Sequence, residues 1–388
     1  MANLANALAN DGHHVEVVHC RDAFELLKST VAPSKFDLDP SIKVWSLASA
    51  WGPLSPLFTF ATGRPGPKRR ALEEILSSRF DVVHWHNISL LTGPGGLKYA
   101  GGTTLCTLHD YWWICPTHIL FKDNREACLA PSCFRCQLIH RRPPQPWRTG
   151  GWLKSTLRYI DQFIAPSQFV SDRYRQSELA ISSVVIPHFV PDAVRAGAAA
   201  SDRESFFLYV GRIEKAKGLQ TLIPLFRSSG RRLVVAGAGS FELEVRKQAE
   251  GAHNIEFLGR VAHEELGRLY SRALATIVPS LCYETFGLTV LESLKHKTPV
   301  VVSCYGALPE LVTATGGGFV YRSTEELVCL LERLDRERAL GARLGEAGFL
   351  ALEKFSTRAH LESYYDLIHR VARHKKRSSA AEISLCPD

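Results

Sequence analysis

Short apolar runs alternate along this chain with stretches in which apolar residues recur every third or fourth position. The first pattern predicts buried strands and the second amphipathic helices. Strands are expected at residues 14–19, 44–49, 81–85, 103–108, 162–165 and 184–186. A second series is expected at 206–210, 232–236, 255–258, 273–278 and 299–303. Helices are expected at 2–10, where Leu4 and Leu8 share a face, and at 70–76, 90–99 and 152–159. Others start at Leu219, run from the 284–288 turn to about 297, and cover 324–352 and 358–373. Residues 51–68, with several Pro and Gly, read as a loop or a broken amphipathic segment.

Strand and helix therefore alternate in two blocks, the signature of a doubly wound parallel sheet occurring twice. The boundary is residues 190–202, rich in Ala and Pro. The expected organisation is an N-terminal domain at 1–190, a C-terminal domain at 203–355, and a helix with a polar tail at 356–388. The tail from Lys375 is expected to fray.

The 388 residues suffice for two such cores, and the composition, 45% hydrophobic and 22% charged, is that of a soluble globular protein. No apolar run is long enough to span a bilayer and no secretory signal is evident, which points to the cytoplasm. The net charge of +8 gathers at 64–70, 141–148 and 374–377. A solvated surface is the ordinary meaning of such clusters. The functional one is attraction to an anion: a nucleotide diphosphate, a lipid phosphate or a membrane face. No nucleic-acid module accompanies the charge.

Two loops carry the candidate chemistry. In Glu284-Thr-Phe-Gly-Leu-Thr-Val-Leu-Glu292, two carboxylates lie eight positions apart across a strand-to-helix turn. Glu284 is placed in the loop and Glu292 inside the helix. Gly287 marks the turn, so the amides of Gly287, Leu288 and Thr289 form a helix N-terminus suited to a phosphate. In open parallel sheets, ligands bind outside the C-terminal ends of the strands. The second loop runs from Gly211 to Gly218 and holds Arg212 and Lys217. A guanidinium fork and a point charge on one loop can neutralise a diphosphate. A basic surface loop and a chance glutamate pair are the plain alternatives. The Gly237-Ala-Gly239 turn lacks a third glycine, so a dinucleotide site is a distant option.

The Glu-x7-Glu stretch resembles the signature of retaining glycosyltransferases of the GT-B fold, the "glycosyl transferases group 1" family. The resemblance spans nearly the whole chain, with its specific motifs in residues 208–312. It implies an α/β architecture of two Rossmann-like domains facing a cleft. It also implies a nucleotide-sugar donor on the C-terminal domain and an acceptor, a lipid-linked or polysaccharide glycan, on the N-terminal domain. By that resemblance Glu284 lies at the donor sugar and Glu292 holds the ribose, while Arg212 and Lys217 hold the diphosphate. Gly211 belongs to the same loop, Arg260 and Val261 correspond to the base-contacting loop, and His109 is the cleft histidine. His84 and His86 are read as structural. No Asp-x-Asp motif accompanies the two donor loops, so no catalytic metal is expected. The family's first strand and glycine-rich loop are missing before residue 2, which is expected to leave unpaired backbone mid-sheet. The alternative reading is a binding homologue without turnover.

Residues 114–149 form a loop-rich insert with Cys115, Cys128, Cys133 and Cys136. The last two make a CxxC, whose tight turn lets two sulfurs converge on one ion. A structural zinc is the expectation, against free buried thiols or adventitious disulfides. Some members of the family carry a similar insert.

Overall fold

The protein is described by a computed structural model. It covers residues 1–27, 38–77, 80–191 and 203–383. The anticipated linker therefore lies, beyond residue 191, outside the described residues.

The C-terminal domain is one sheet of six parallel strands. They are β9 (Phe206–Val210), β10 (Arg232–Ala236), β11 (Ile255–Gly259), β12 (Ala275–Val278), β13 (Val300–Ser303) and β14 (Gly318–Tyr321), numbered after the eight of the first domain. Their order is β11-β10-β9-β12-β13-β14. Strands of a parallel sheet are covered on both faces, which is why these runs are continuously apolar. Phe207, Val235, Ile277 and Val301 pack on one side with Leu222, Ile223 and Phe226 of the Leu219–Ser229 helix. Val300 and Val302 face Val290, Leu291 and Leu294 of the Leu288–Lys295 helix on the other side. The strand order reverses between β9 and β12. The loops leaving those two neighbours open a crevice there.

The N-terminal domain differs from a single sheet. Four parallel strands, β3 (Val82–Trp85), β4 (Thr103–Thr107), β7 (Gln162–Ala165) and β8 (Ser183–Val185), pair in that order. The strands β1 (Glu16–Cys20) and β2 (Lys43–Leu47) form a separate parallel pair. Among the described residues neither is paired with β3.

Other expectations change in detail. Residues 51–68 hold a continuous helix, Leu54–Thr62. Residues 90–99 yield only a 3-10 turn, Pro94–Tyr99. Two helices were not foreseen, Arg21–Leu27 and Gln168–Arg175. The insert contains a small antiparallel hairpin, β5 (Phe121–Lys122) with β6 (Glu126–Ala127), and the Cys133–Ile139 helix.

The last helix, Thr357–Ile383, does more than cap the second domain. It returns to the first, where Tyr364 and Leu367 join Leu105, Ile164 and Ile186 in one buried cluster. Tyr364 donates to or accepts from His84 Nδ1 at 2.9 Å. Lys375, expected to fray, donates to Gly102 O and Asp161 Oδ2 at 2.6 and 2.9 Å.

Candidate active site at the sheet switch point

The loops after β9 and β12 meet where the topology predicts. Gly218 makes that approach feasible. Its φ is +76°, and a Cβ there would lie 1.8 Å from Pro279 O. Gly306, after β13, serves the Glu284 loop in the same way. Its φ is +73°, and a Cβ would meet Glu284 N and O at 2.3 Å. In that space Glu284 and Gly306 form a parallel bridge, and Ala307 N donates to Glu284 O at 2.9 Å. The backbone of Glu284 is thus clamped between two loops.

Its side chain is clamped as well. Lys217 Nζ donates to Glu284 Oε1 at 2.7 Å, and Ser280 Oγ donates to the same oxygen. Burial alone would lower the Lys217 pKa. The charge and hydrogen bond of Glu284 outweigh it and hold the ammonium above the ordinary lysine value. Arg212 points elsewhere. It is largely exposed and pairs with Glu214 at 2.7 Å. So the structure brings Lys217 and Glu284 into contact and leaves Arg212 at the loop's outer side, beyond Gly211.

Gly287 begins the Leu288–Lys295 helix in a left-handed conformation. The amides of Gly287, Leu288 and Thr289 have no acceptor among the described residues. They supply a positive helix end beside the Glu284 loop. Further along, Glu292 Oε2 accepts from Tyr270 OH at 3.0 Å. Glu292, Tyr270, His263 and Leu288 line a cavity of about 220 Å³. Arg260 and Val261 precede the His263–Arg272 helix that forms one wall, but neither lines that cavity.

His109 follows β4 and faces the second domain. Thr285 Oγ1 donates to its carbonyl at 3.0 Å. Its ring stacks with that of His188 at 5.1 Å, and His188 meets Phe286 edge-on at 5.2 Å. A line of rings thus links the cleft histidine to the loop of Glu284. His109, His188, His84 and His86 line a second cavity of about 140 Å³ that also reaches Leu288. Burial lowers the His109 pKa to about 4 and that of His188 to about 3, so both rings are neutral.

Several participants were not legible beforehand. Ser167 Oγ donates to Thr285 O at 2.8 Å. Glu310 accepts from Gln168 N and Phe169 N at 2.9 and 3.1 Å, at the start of an unforeseen helix. A carboxylate on a helix N-terminus is a favourable charge arrangement. Here it ties the two domains together. Glu310 lies in the first turn of the Leu308–Thr315 helix that follows β13. The signal missing was its partner helix.

The insert reaches the same place. Phe121 of its hairpin packs with Ala216 and Cys282 of the two donor loops. The Cys128 thiol is pushed up to about 11 by burial and then by Cys115, Cys133 and Cys136. All four are free thiols. Among the described residues no three His, Cys, Asp or Glu side chains are grouped as a metal site, so a zinc held by Cys115, Cys128, Cys133 and Cys136 would need their sulfurs to draw together.

No helix among the described residues is long and apolar enough to cross a membrane. An uncharacterized glycosyltransferase of Methanocaldococcus jannaschii is 34% identical over 30% of this chain and 32% of its own length. The alpha-monoglucosyldiacylglycerol synthase of Streptococcus pneumoniae is 28% identical over 81% of this chain and 74% of its own. Sucrose-phosphate synthase from Thermosynechococcus elongatus shares the fold, with a TM-score of 0.71 at 20% identity over 95% of this chain and 92% of that one. The description Glycosyltransferase Family 4 matches residues 1–194, and Glycosyl transferases group 1 matches residues 192–350. With a six-stranded switch-point sheet, a paired Glu284 loop and both halves matched in order, the chain belongs to the group 1 glycosyltransferases of the GT-B fold, a family of enzymes.

Proposed function

We propose that this protein is a retaining glycosyltransferase that moves a sugar from a nucleotide-sugar donor to a glycan or lipid-linked acceptor. The observation that carries this reading is the Lys217–Glu284 pair at the switch point, beside the open amides of residues 287–289. A diphosphate arriving there meets an ammonium, a helix N-terminus and, after a side-chain swing, the Arg212 guanidinium. Together they would stabilise the charge that grows on the leaving phosphate. Glu284 would lie at the sugar and Glu292, in the neighbouring cavity, at the ribose. The leaving phosphate would assist deprotonation of the acceptor hydroxyl, so no protein base is required. We assign no catalytic metal, since Lys217 and Arg212 can supply the positive charge.

The acceptor would approach His109 from the first domain. A lipid-linked acceptor suits the name of the pneumococcal relative, a diacylglycerol-modifying synthase. It also suits an exposed apolar face formed by Trp51, Leu54 and Leu57, followed in sequence by Arg64, Arg69 and Arg70. Such a face favours peripheral contact with an anionic membrane from the cytoplasmic side. A structural zinc in the insert rests on its four cysteines within residues 115–136, two of them a CxxC. The rival reading, binding without turnover, is favoured by one observation, the separation of β1 and β2 from the four-stranded sheet.

A thermal-shift screen with UDP, GDP, ADP and their sugar conjugates tests the proposal. A ligand present at about a hundred times its dissociation constant should add roughly 2.7 kcal/mol of stability. Absence of any shift across the panel would sink it. Binding without release of nucleoside diphosphate would favour the rival.

A further inference from the structure

His86 ends the strand next to that of His109. Strands β3 and β4 are parallel, with Trp85 opposite Cys106. The residues leaving their C-terminal ends are therefore neighbours. His86 Nδ1 lies 2.7 Å from His109 Nε2. We propose that His86 is a positioning residue for His109: this hydrogen bond sets the tautomer and ring orientation with which the cleft histidine meets the sugar or acceptor. The inference rests on the glycosyltransferase reading of the cleft.

A neutral imidazole has one N–H and one bare nitrogen. At 2.7 Å one of the two facing nitrogens must donate and the other accept. The proton positions of the two rings are therefore linked. If His86 Nδ1 carries a proton, His109 accepts at Nε2 and offers Nδ1–H to its ligand. If His86 Nδ1 is bare, His109 donates from Nε2 and offers Nδ1 as an acceptor. Whichever state His86 holds, His109 presents one defined nitrogen. Burial keeps His86 well below the ordinary histidine pKa, with smaller contributions from His84, His109, the terminal amine and His188. His109 is held low by burial, then by the terminal amine and His84, against the weaker pull of Asp110. Both rings thus stay neutral.

Among the described residues no other side chain hydrogen-bonds the His109 ring. A carboxylate usually orients a functional histidine. The adjacent carboxylate in sequence, Asp110, is engaged by the Trp112 amide at 2.9 Å and by His118 at 3.3 Å. The remaining ring contact of His109, with His188, is a stack and fixes no proton. His86 is itself supported. Its ring meets that of His84 in a tilted contact at 4.1 Å, and both nitrogens of His84 are committed, to Thr107 Oγ1 and Tyr364 OH.

The test uses the full chain with His86→Leu and His86→Asn, the latter keeping a polar group near the Nδ1 position. UDP-glucose and GDP-mannose serve as donors, and UDP and GDP as binding probes. Three quantities are read: release of nucleoside diphosphate, affinity for the free nucleotide, and ring ¹⁵N shifts of His109. His86→Leu should lower turnover by about tenfold or more and leave nucleotide affinity unchanged. The wild-type His109 should show one tautomer and His86→Leu a mixture, with His86→Asn recovering most of the activity. Turnover within about twofold of wild type in His86→Leu, or a mixed tautomer already in the wild type, would overturn the inference. If the leucine variant does not fold, the wild-type tautomer and the asparagine variant decide. If the wild type binds nucleotide but turns over neither donor, the transfer reading fails, and the ¹⁵N spectra of wild type and variants still decide the linkage.

Discussion

Lys217 and Glu284 are 67 residues apart in sequence and 2.7 Å apart in space, each the other's charged partner at the mouth of the second domain's sheet. A donor diphosphate reaching Lys217 would meet an ammonium whose position Glu284 fixes, which lowers the entropic cost of recruiting it.

Replacing Lys217 or Arg212 by Ala should weaken binding of a nucleoside diphosphate, each by on the order of 1.5–3 kcal/mol for a charged hydrogen bond. The two should differ in stability. Lys217→Ala leaves Glu284 partly buried with only Ser280 as donor, so it should also lower the melting temperature. Arg212→Ala removes an exposed pair with Glu214 and should leave it unchanged. Calorimetric titration and melting curves check both. Unaltered affinity in both variants would defeat the diphosphate assignment.

Glu292→Ala should weaken free nucleotide, since Glu292 lines the cavity proposed here for the ribose. Tyr270→Phe, which removes its 3.0 Å hydrogen bond, should do so to a lesser degree. Glu284→Ala should leave nucleotide affinity nearly intact and abolish transfer. The reverse pattern would mean that the two glutamates exchange roles.

His84 and His188 titrate in the fold at about 3 and His109 at about 4, all lowered chiefly by burial. In the unfolded chain each takes its ordinary value near 6.5. Between these limits the unfolded state binds more protons than the folded one. Stability should therefore rise with pH from about 4 to 6.5 and level off above. Denaturant melts at acidic and neutral pH should show this slope, and His188→Phe should flatten it. A slope of the opposite sign would mean that these rings are charged in the fold.

For the insert, elemental analysis of protein purified without chelator should find about one zinc per chain, lost when Cys133 and Cys136 become Ser. Zinc binding should also lower the alkylation rate of Cys128. Metal-free protein with four thiols that alkylate freely would rule the site out.

Much of this was legible in one dimension because the physics is local. The continuous apolar runs 206–210, 232–236 and 299–303 can be satisfied only by burial on both faces. The glycines at 218 and 287 mark turns whose left-handed backbone other side chains rarely adopt. Glu284 and Lys217 stand beside those runs and turns, so their position at the C-terminal ends of two strands was legible, while the roles expected of them and of Glu292 and Arg212 came from the family resemblance. What a linear pattern does not carry is which partner a side chain finds. Arg212 and Lys217 look equivalent on one loop, yet packing turns Lys217 inward to Glu284 and leaves Arg212 in solvent with Glu214. His86 looks like a strand-end histidine until the parallel register of β3 and β4 sets it against His109. Glu310 needs the Gln168–Arg175 helix of the other domain, and the last helix needs the first domain's sheet to bury Tyr364. These contacts depend on chain segments brought together only when both cores close, because their energy comes from desolvation and geometry shared across the cleft.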